Sequence, residues 1–156
     1  MAEQIRLVSA AAVYKKDGDD VLWFLIKEKE GGGWEIPKTV ARAGESSVRA
    51  SVRALGEQGG MRIKVLEEVG RHGGAAKVGD KIVTQRTIYY LIAHKEGEEV
   101  LGYVASEWMP HTLALRKVTT KLDREMLKDA RALLMVIREK KRKIKEAERA
   151  AAAQLN

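Results

Sequence analysis

Residues 34–61 read "WEIPKTVARAGESSVRASVRALGEQGGM", a loop broken by proline and glycine that runs directly into a helical pattern. Val48, Val52 and Leu55 stand at i, i+4 and i+7, the spacing of one core-facing stripe. Ser46 or Ser47 can cap the first turn, and Glu45 lies at the positive end of the helix dipole. Arg53 and Glu57 are four apart and can pair across a turn. Ala54, Glu57 and Gln58 share a different face, turned toward the loop. The backbone amides of residues 43–47, near the helix start, can receive an anion.

Outward from this stretch the pattern is mixed. Upstream, "RLVSAAAVYKK" (6–16) and "VLWFLIKEK" (21–29) are apolar runs separated by the turn signal "KDGDD", which predicts a hairpin. Downstream, Met61, Ile63 and Val65 alternate with charged residues as in a half-buried strand over 61–72. The glycine-rich "GGAAKVGD" (73–80) reads as a loop leading into a long strand over 81–95. Residues 96–108 have room for a short strand. Leu122, Met126, Leu127, Ala130, Leu133 and Leu134 then recur at helical spacing. Beyond Ile137 that stripe thins to Ile144. The expected organisation is one domain over 1–137 and a basic, alanine-rich helical extension over 138–156.

The chain has 156 residues, 45% of them hydrophobic, which suits one domain with a sizeable core. No apolar run approaches the roughly 20 residues that span a bilayer, so no membrane partner is expected. "MAEQIRLVSAAAVY" lacks the pattern of a signal peptide. The absence of cysteine excludes disulfides and thiolate metal sites, and makes the cytoplasm the default compartment. The net charge of +7 is concentrated in "REKKRKIK" (138–145). A solvated helix face is the first reading of that run, and attraction for RNA or another polyanion the second. The histidines, His72, His94 and His111, show no ligand spacing and read as structural or exposed. Tyr89 and Tyr90 are neighbours on a strand, so one faces the core and the other a sheet surface. Trp34 and Trp108 read as core anchors.

The opening stretch resembles the Nudix box, G-x5-E-x7-R-E-U-x-E-E-x-G-U, with U a bulky aliphatic residue. Glu45, Arg53, Leu55, Glu57, Gly60 and Met61 fall on its positions, while Thr39, Ala54 and Gln58 depart from it. "WEIPK" is similar to the W-x-x-P-K found before the box in diadenosine polyphosphate and diphosphoinositol hydrolases. "WMPHTLA" (108–114) resembles the W-x-P-x-x-x-A segment that leads into the family's last helix. The resemblance covers roughly residues 5–137. It implies an α/β class fold, the Nudix-type α/β/α sandwich with a mixed sheet, a box helix and a C-terminal helix.

The family's chemistry rests on a helix face of glutamates holding Mg2+ against a diphosphate. Mg2+ demands octahedral oxygen ligands and parts with water reluctantly, so several carboxylates must converge on it. By resemblance the metal ligands here are Glu57 and Gln58, and Mg2+ binding is expected to be weak or absent. The candidate catalytic residues are Glu57, Glu45, Arg53 and Glu107, the last beside Trp108. Lys38 resembles a phosphate-binding lysine and Arg42 adds positive charge nearby. Glu67 and Glu68 are expected in solvent. Thr39 suits a left-handed position poorly, so the loop is expected to take another path. The leading expectation is binding of a nucleoside diphosphate derivative or dinucleoside polyphosphate, with hydrolysis absent or impaired. The alternatives are an active Mg-dependent hydrolase and a structural RNA- or ribosome-associated protein. Oligomeric state and substrate identity are not legible in the sequence.

Overall fold

The computed structural model describes residues 5–97 and 102–155. Strands β1 (Ile5–Asp17) and β2 (Asp20–Lys27) form the expected hairpin, with Gly18 supplying the positive φ of 62° at its turn. Then come β3 (Lys38–Val40), helix α1 (Ser47–Glu57), β4 (Arg62–Val78), β5 (Lys81–Glu96), β6 (Ala105–Pro110), α2 (His111–Lys117) and α3 (Lys121–Gln154). The sheet order is β4-β5-β1-β2-β6, with β3 also paired to β1. β1 and β5 run parallel and the other pairs antiparallel, so the sheet is mixed.

Residue alternation along the central strands separates two cores. Ala11, Val13, Phe24, Ile26, Tyr90 and Ile92 face α1 and meet Leu55. Ala10, Ala12, Trp23, Leu25, Tyr89 and Leu91 face α2 and α3, where Ala114, Leu127, Ala130 and Leu134 close the layer. The result is the three-layer α/β/α sandwich. Since helices cover both faces, Tyr89 and Tyr90 are both buried, which corrects the expectation that one reaches a surface.

The stripe of α1 that packs on the sheet differs from the expected one. Val48 and Val52 are 38% and 46% exposed, while Ser47, Ala50, Ser51, Ala54 and Leu55 are buried. Small side chains let the helix lie close to the sheet, and their hydroxyls find partners there. Ser51 Oγ bonds Ser9 Oγ, and Ser47 Oγ bonds the Tyr90 hydroxyl. Polarity alone would place these serines outside, but hydrogen bonding removes the cost of burying them. Ser46, the N-cap, accepts from Arg49 N. At the other end Met61 N donates back to Leu55 O, with Gly60 at a φ of 58°.

The expected loop over 73–80 is also corrected. β4 continues to Val78 and pairs residue by residue with β5 as far as Val78↔Lys81, around Gly79. The ribbon's outer half is exposed, so cross-strand hydrogen bonds rather than burial hold it, and hydrophobic periodicity gives no sign of it. The sequence segment 96–108 contributes β6, with residues 98–101 of that expectation outside the described residues. α3 runs unbroken for 34 residues, and its buried side chains end at Leu134, with Ile137 and Arg138 half-buried.

Candidate functional site

The loop before α1 is organised by Glu45. Arg42 N donates to its Oε1 at 3.0 Å, and Arg53 donates through Nε to Oε2 at 2.8 Å and through Nη2 to Oε1 at 2.9 Å. The Arg53 hydrogen bonds and the Arg42 amide hold the Glu45 carboxyl down to about 2. Arg53 therefore pairs with Glu45 and not with Glu57, correcting the i, i+4 expectation. A bidentate fork eight residues back, also reaching Val40 O, outcompetes an exposed pair along the helix. Both Glu45 oxygens are engaged in shaping the loop. Thr39 lies in β3 opposite Ser9, and the positive φ of the loop falls on Gly44 at 76°. Thr39 is thus extended, and the left-handed position of this loop is Gly44.

Lys38 projects toward α3. Its Nζ donates to Asp123 Oδ2 at 2.8 Å and to Ile36 O at 3.1 Å. Asp123, 1% exposed, also accepts from the Tyr89 hydroxyl at 2.7 Å and from Ile36 N at 3.1 Å. This buried carboxylate fastens the "WEIPK" segment to the start of α3. Lys38 still lines an open hollow of about 430 Å3 with Arg6, Glu28, Glu35, Thr39 and Gln58. A second hollow of about 300 Å3 shares Glu28 and Gln58 and continues over Gly102 and Tyr103. Burial raises the Glu35 carboxyl, opposed by Lys38 and reinforced by Glu28. Burial, with Glu28 nearby, pushes the Tyr103 phenol up to about 12.

The structure therefore brings Lys38 and Gln58 to one hollow and separates the other candidates. Glu57 is exposed on α1 and does not line either hollow. Ala54 is 7% exposed and faces Ser9, Ala11, Leu55 and Tyr103. Arg42 is exposed on the loop. Glu107 pairs in register with Leu25 and alternates with Trp108, so it lies on the α3 face of the sheet, away from α1. Glu67 is exposed, and Glu68 accepts a forked pair from Arg71. His94 bonds Gly97 O and His111 bonds Leu127 O, both structural arrangements. Trp108 packs on Phe24 at 4.9 Å between ring centroids, and half-buried Trp34 packs against the α3-side core.

Sequence reasoning missed Glu28, Glu35 and Asp123. Glu35 is brought in by an isolated bridge to Ile26, which sets it beside the end of β2. For Asp123 a signal existed: Thr120, three residues earlier, is the N-cap of α3 and accepts from Asp123 N. Nothing local shows that the same carboxylate is buried. The box positions offer a divalent ion few ligands. One box carboxylate points to solvent, the next position is a buried methyl, and the third is a neutral amide. Among the described residues no three His, Cys, Asp or Glu side chains converge on a point where an ion could sit.

The model of the NUDIX domain matches residues 5–130 of the chain. No curated protein matches it by sequence. Among solved structures, the fold is similar to a C. elegans Ap4A hydrolase, with 15% identity, a TM-score of 0.67, and 84% of this chain and 99% of that one covered. The NUDIX domain of Shewanella oneidensis NrtR, solved with ADP ribose, is similar at 15% identity and TM-score 0.65, covering 85% and 90%. The E. coli ORF135 protein gives 23% identity and TM-score 0.64, covering 84% and 91%.

Proposed function

Because this chain belongs to the NUDIX domain family, we propose that it binds a nucleoside diphosphate derivative or a dinucleoside polyphosphate, with hydrolysis absent or much impaired. The single observation carrying this reading is the burial of Ala54 against Ser9, Ala11 and Tyr103. A side chain closed into the helix–sheet contact adds no ligand, and its neighbour Gln58 offers a carbonyl oxygen without charge. What remains is a binding surface. Lys38, Arg6 and Gln58 line the hollow that a diphosphate would enter. Similarity to an Ap4A hydrolase and to a NUDIX domain solved with ADP ribose supports a nucleotide as the ligand class.

The test is a panel of Ap4A, ADP-ribose and nucleoside diphosphate sugars with Mg2+ or Mn2+, read by calorimetry for binding and by phosphate release for turnover. Gln58 is exposed, so Gln58→Glu restores a carboxylate without disturbing the core. A unit charge added about 4 Å from a bound cation, at an effective dielectric of about 20, is worth several kcal/mol, so turnover is expected to rise about 100-fold over the parent. Parent turnover equal to that of Gln58→Glu overturns the impaired-hydrolase reading. Failure of every nucleotide to bind overturns the ligand class.

A further inference from the structure

A second anion site stands at the far end of β1, built where the sheet divides. The parallel β1–β5 ladder stops at Tyr14↔Ala93, although β1 runs on to Asp17 and β5 to Glu96. Beyond that pair each strand follows its own antiparallel partner, β1 with β2 and β5 with β4. The carboxyl ends of two parallel strands thus fork, and such divergence opens a crevice in a sheet. The crevice here has a volume of about 580 Å3. Lys15, Lys16 and Lys95 line it from the strands and Lys141 from α3, against one carboxylate among the described residues, Asp17. From Ser9, beside the box helix, to Lys16 is seven residues of strand, or about 23 Å.

The helix contribution follows from its own geometry. Lys141 is seven residues past buried Leu134 and so lies on the same face of α3. The stripe that packs the domain turns basic as it passes the end of the sheet. Further along, Lys143 and Lys145 are exposed, while Arg142 is spoken for by Glu139 and Glu146. Lys15 Nζ stands 4.6 Å above the Trp108 ring, and His94 meets the same indole edge-on at 5.2 Å. By strand alternation Lys15 and Trp108 stand on the α1 side of the crevice, and Lys16, Lys95 and Lys141 on the α3 side.

We propose that this fork binds single-stranded nucleic acid, its phosphates following Lys15, Lys16, Lys95 and Lys141 and continuing along α3 to Lys145. Four cations set along a crevice and prolonged by a basic helix match a chain of phosphates. A positive groove edged by aromatic side chains is the usual design for single strands. A lipid surface fits poorly, because lysines within a concavity do not reach a flat plane of headgroups. The inference is independent of the box site.

Fluorescence anisotropy with the full chain and labelled RNA and DNA strands of about 12 nucleotides, from about 50 to about 200 mM salt, tests it. Each phosphate contact adds about 0.7 to the fall of log K against log salt. The Lys15→Ala/Lys95→Ala/Lys141→Ala variant is expected to bind at least about tenfold more weakly and to lose about 2 from that slope. Lys141→Ala alone, on exposed helix, is expected to lose about 0.7 with an unchanged circular dichroism spectrum. Lys64→Ala/Lys81→Ala/Lys128→Ala, outside the crevice, is expected to change affinity less than about twofold. The proposal fails if neither strand binds at the lowest salt, or if the control variant loses as much as the crevice variant. It fails also if anionic vesicles hold the protein and an excess strand does not displace it.

Discussion

At the scale of the residue, Asp123 has the most consequential environment. It is fully buried and its two oxygens accept from Tyr89, Ile36 N and Lys38, so one carboxylate serves a strand, a loop and a cation. Asp123→Ala would leave the Tyr89 hydroxyl and the Ile36 amide without their acceptor, and Lys38 without its counter-charge. Removing one member of a buried, hydrogen-bonded pair costs about 3 kcal/mol or more, and that loss is expected in urea unfolding. Unchanged stability would show that water replaces the carboxylate at no cost. The same substitution frees Lys38 to turn into the hollow it lines. Nucleotide affinity measured on the folded fraction should therefore hold or rise.

At the scale of the element, α1 is anchored at both ends by devices of different kinds. Its C-terminus is closed by Gly60 and by Gly102 N, which donates to Gln58 O at 2.9 Å. A Cβ on Gly102 would stand 2.5 Å from Gln58 Cα, so only glycine permits that approach. Its N-terminal approach is held by the Glu45–Arg53 fork. Glu45 titrates at about 2 in the fold, below the ordinary 4.5. A depressed carboxyl stabilises the fold above the ordinary value, and that stabilisation disappears as pH falls through about 2. Glu45→Gln is thus expected to lower the melting midpoint at about pH 6, with the gap from the parent closing between about pH 4.5 and pH 2. A gap independent of pH would mean that the amide loses packing and not charge.

At the scale of the whole molecule, the cores end before the chain does. α3 buries Leu127, Ala130 and Leu134 against the sheet, and beyond Arg138 its described side chains are exposed. A chain ending at Arg138 is therefore expected to melt within about 3 °C of the full chain, since almost no apolar surface is given up. A larger fall would mean that the extension packs on the domain. The sequence by itself determined much of this architecture. The hairpin, the box helix with its capping serine, and the start and stripe of the last helix are local signals, written in periodicity, turn residues and caps. The box also carried the family, because motif spacing is a one-dimensional property. Tertiary structure decided the rest. Arg53 had two carboxylates within reach along the chain, and only the folded loop shows that Glu45 offers the better fork. Ser47 and Ser51 turned inward, displacing Val48 and Val52, because Tyr90 and Ser9 wait across the interface with matching hydroxyls. Glu28, Glu35 and Asp123 entered the site from segments that carry no motif, and Lys15, Lys95 and Lys141 met at a fork between strands. A local pattern reports how a segment folds against a generic core. Which side chains share a cavity depends on contacts between residues far apart in the chain, and no single segment encodes those.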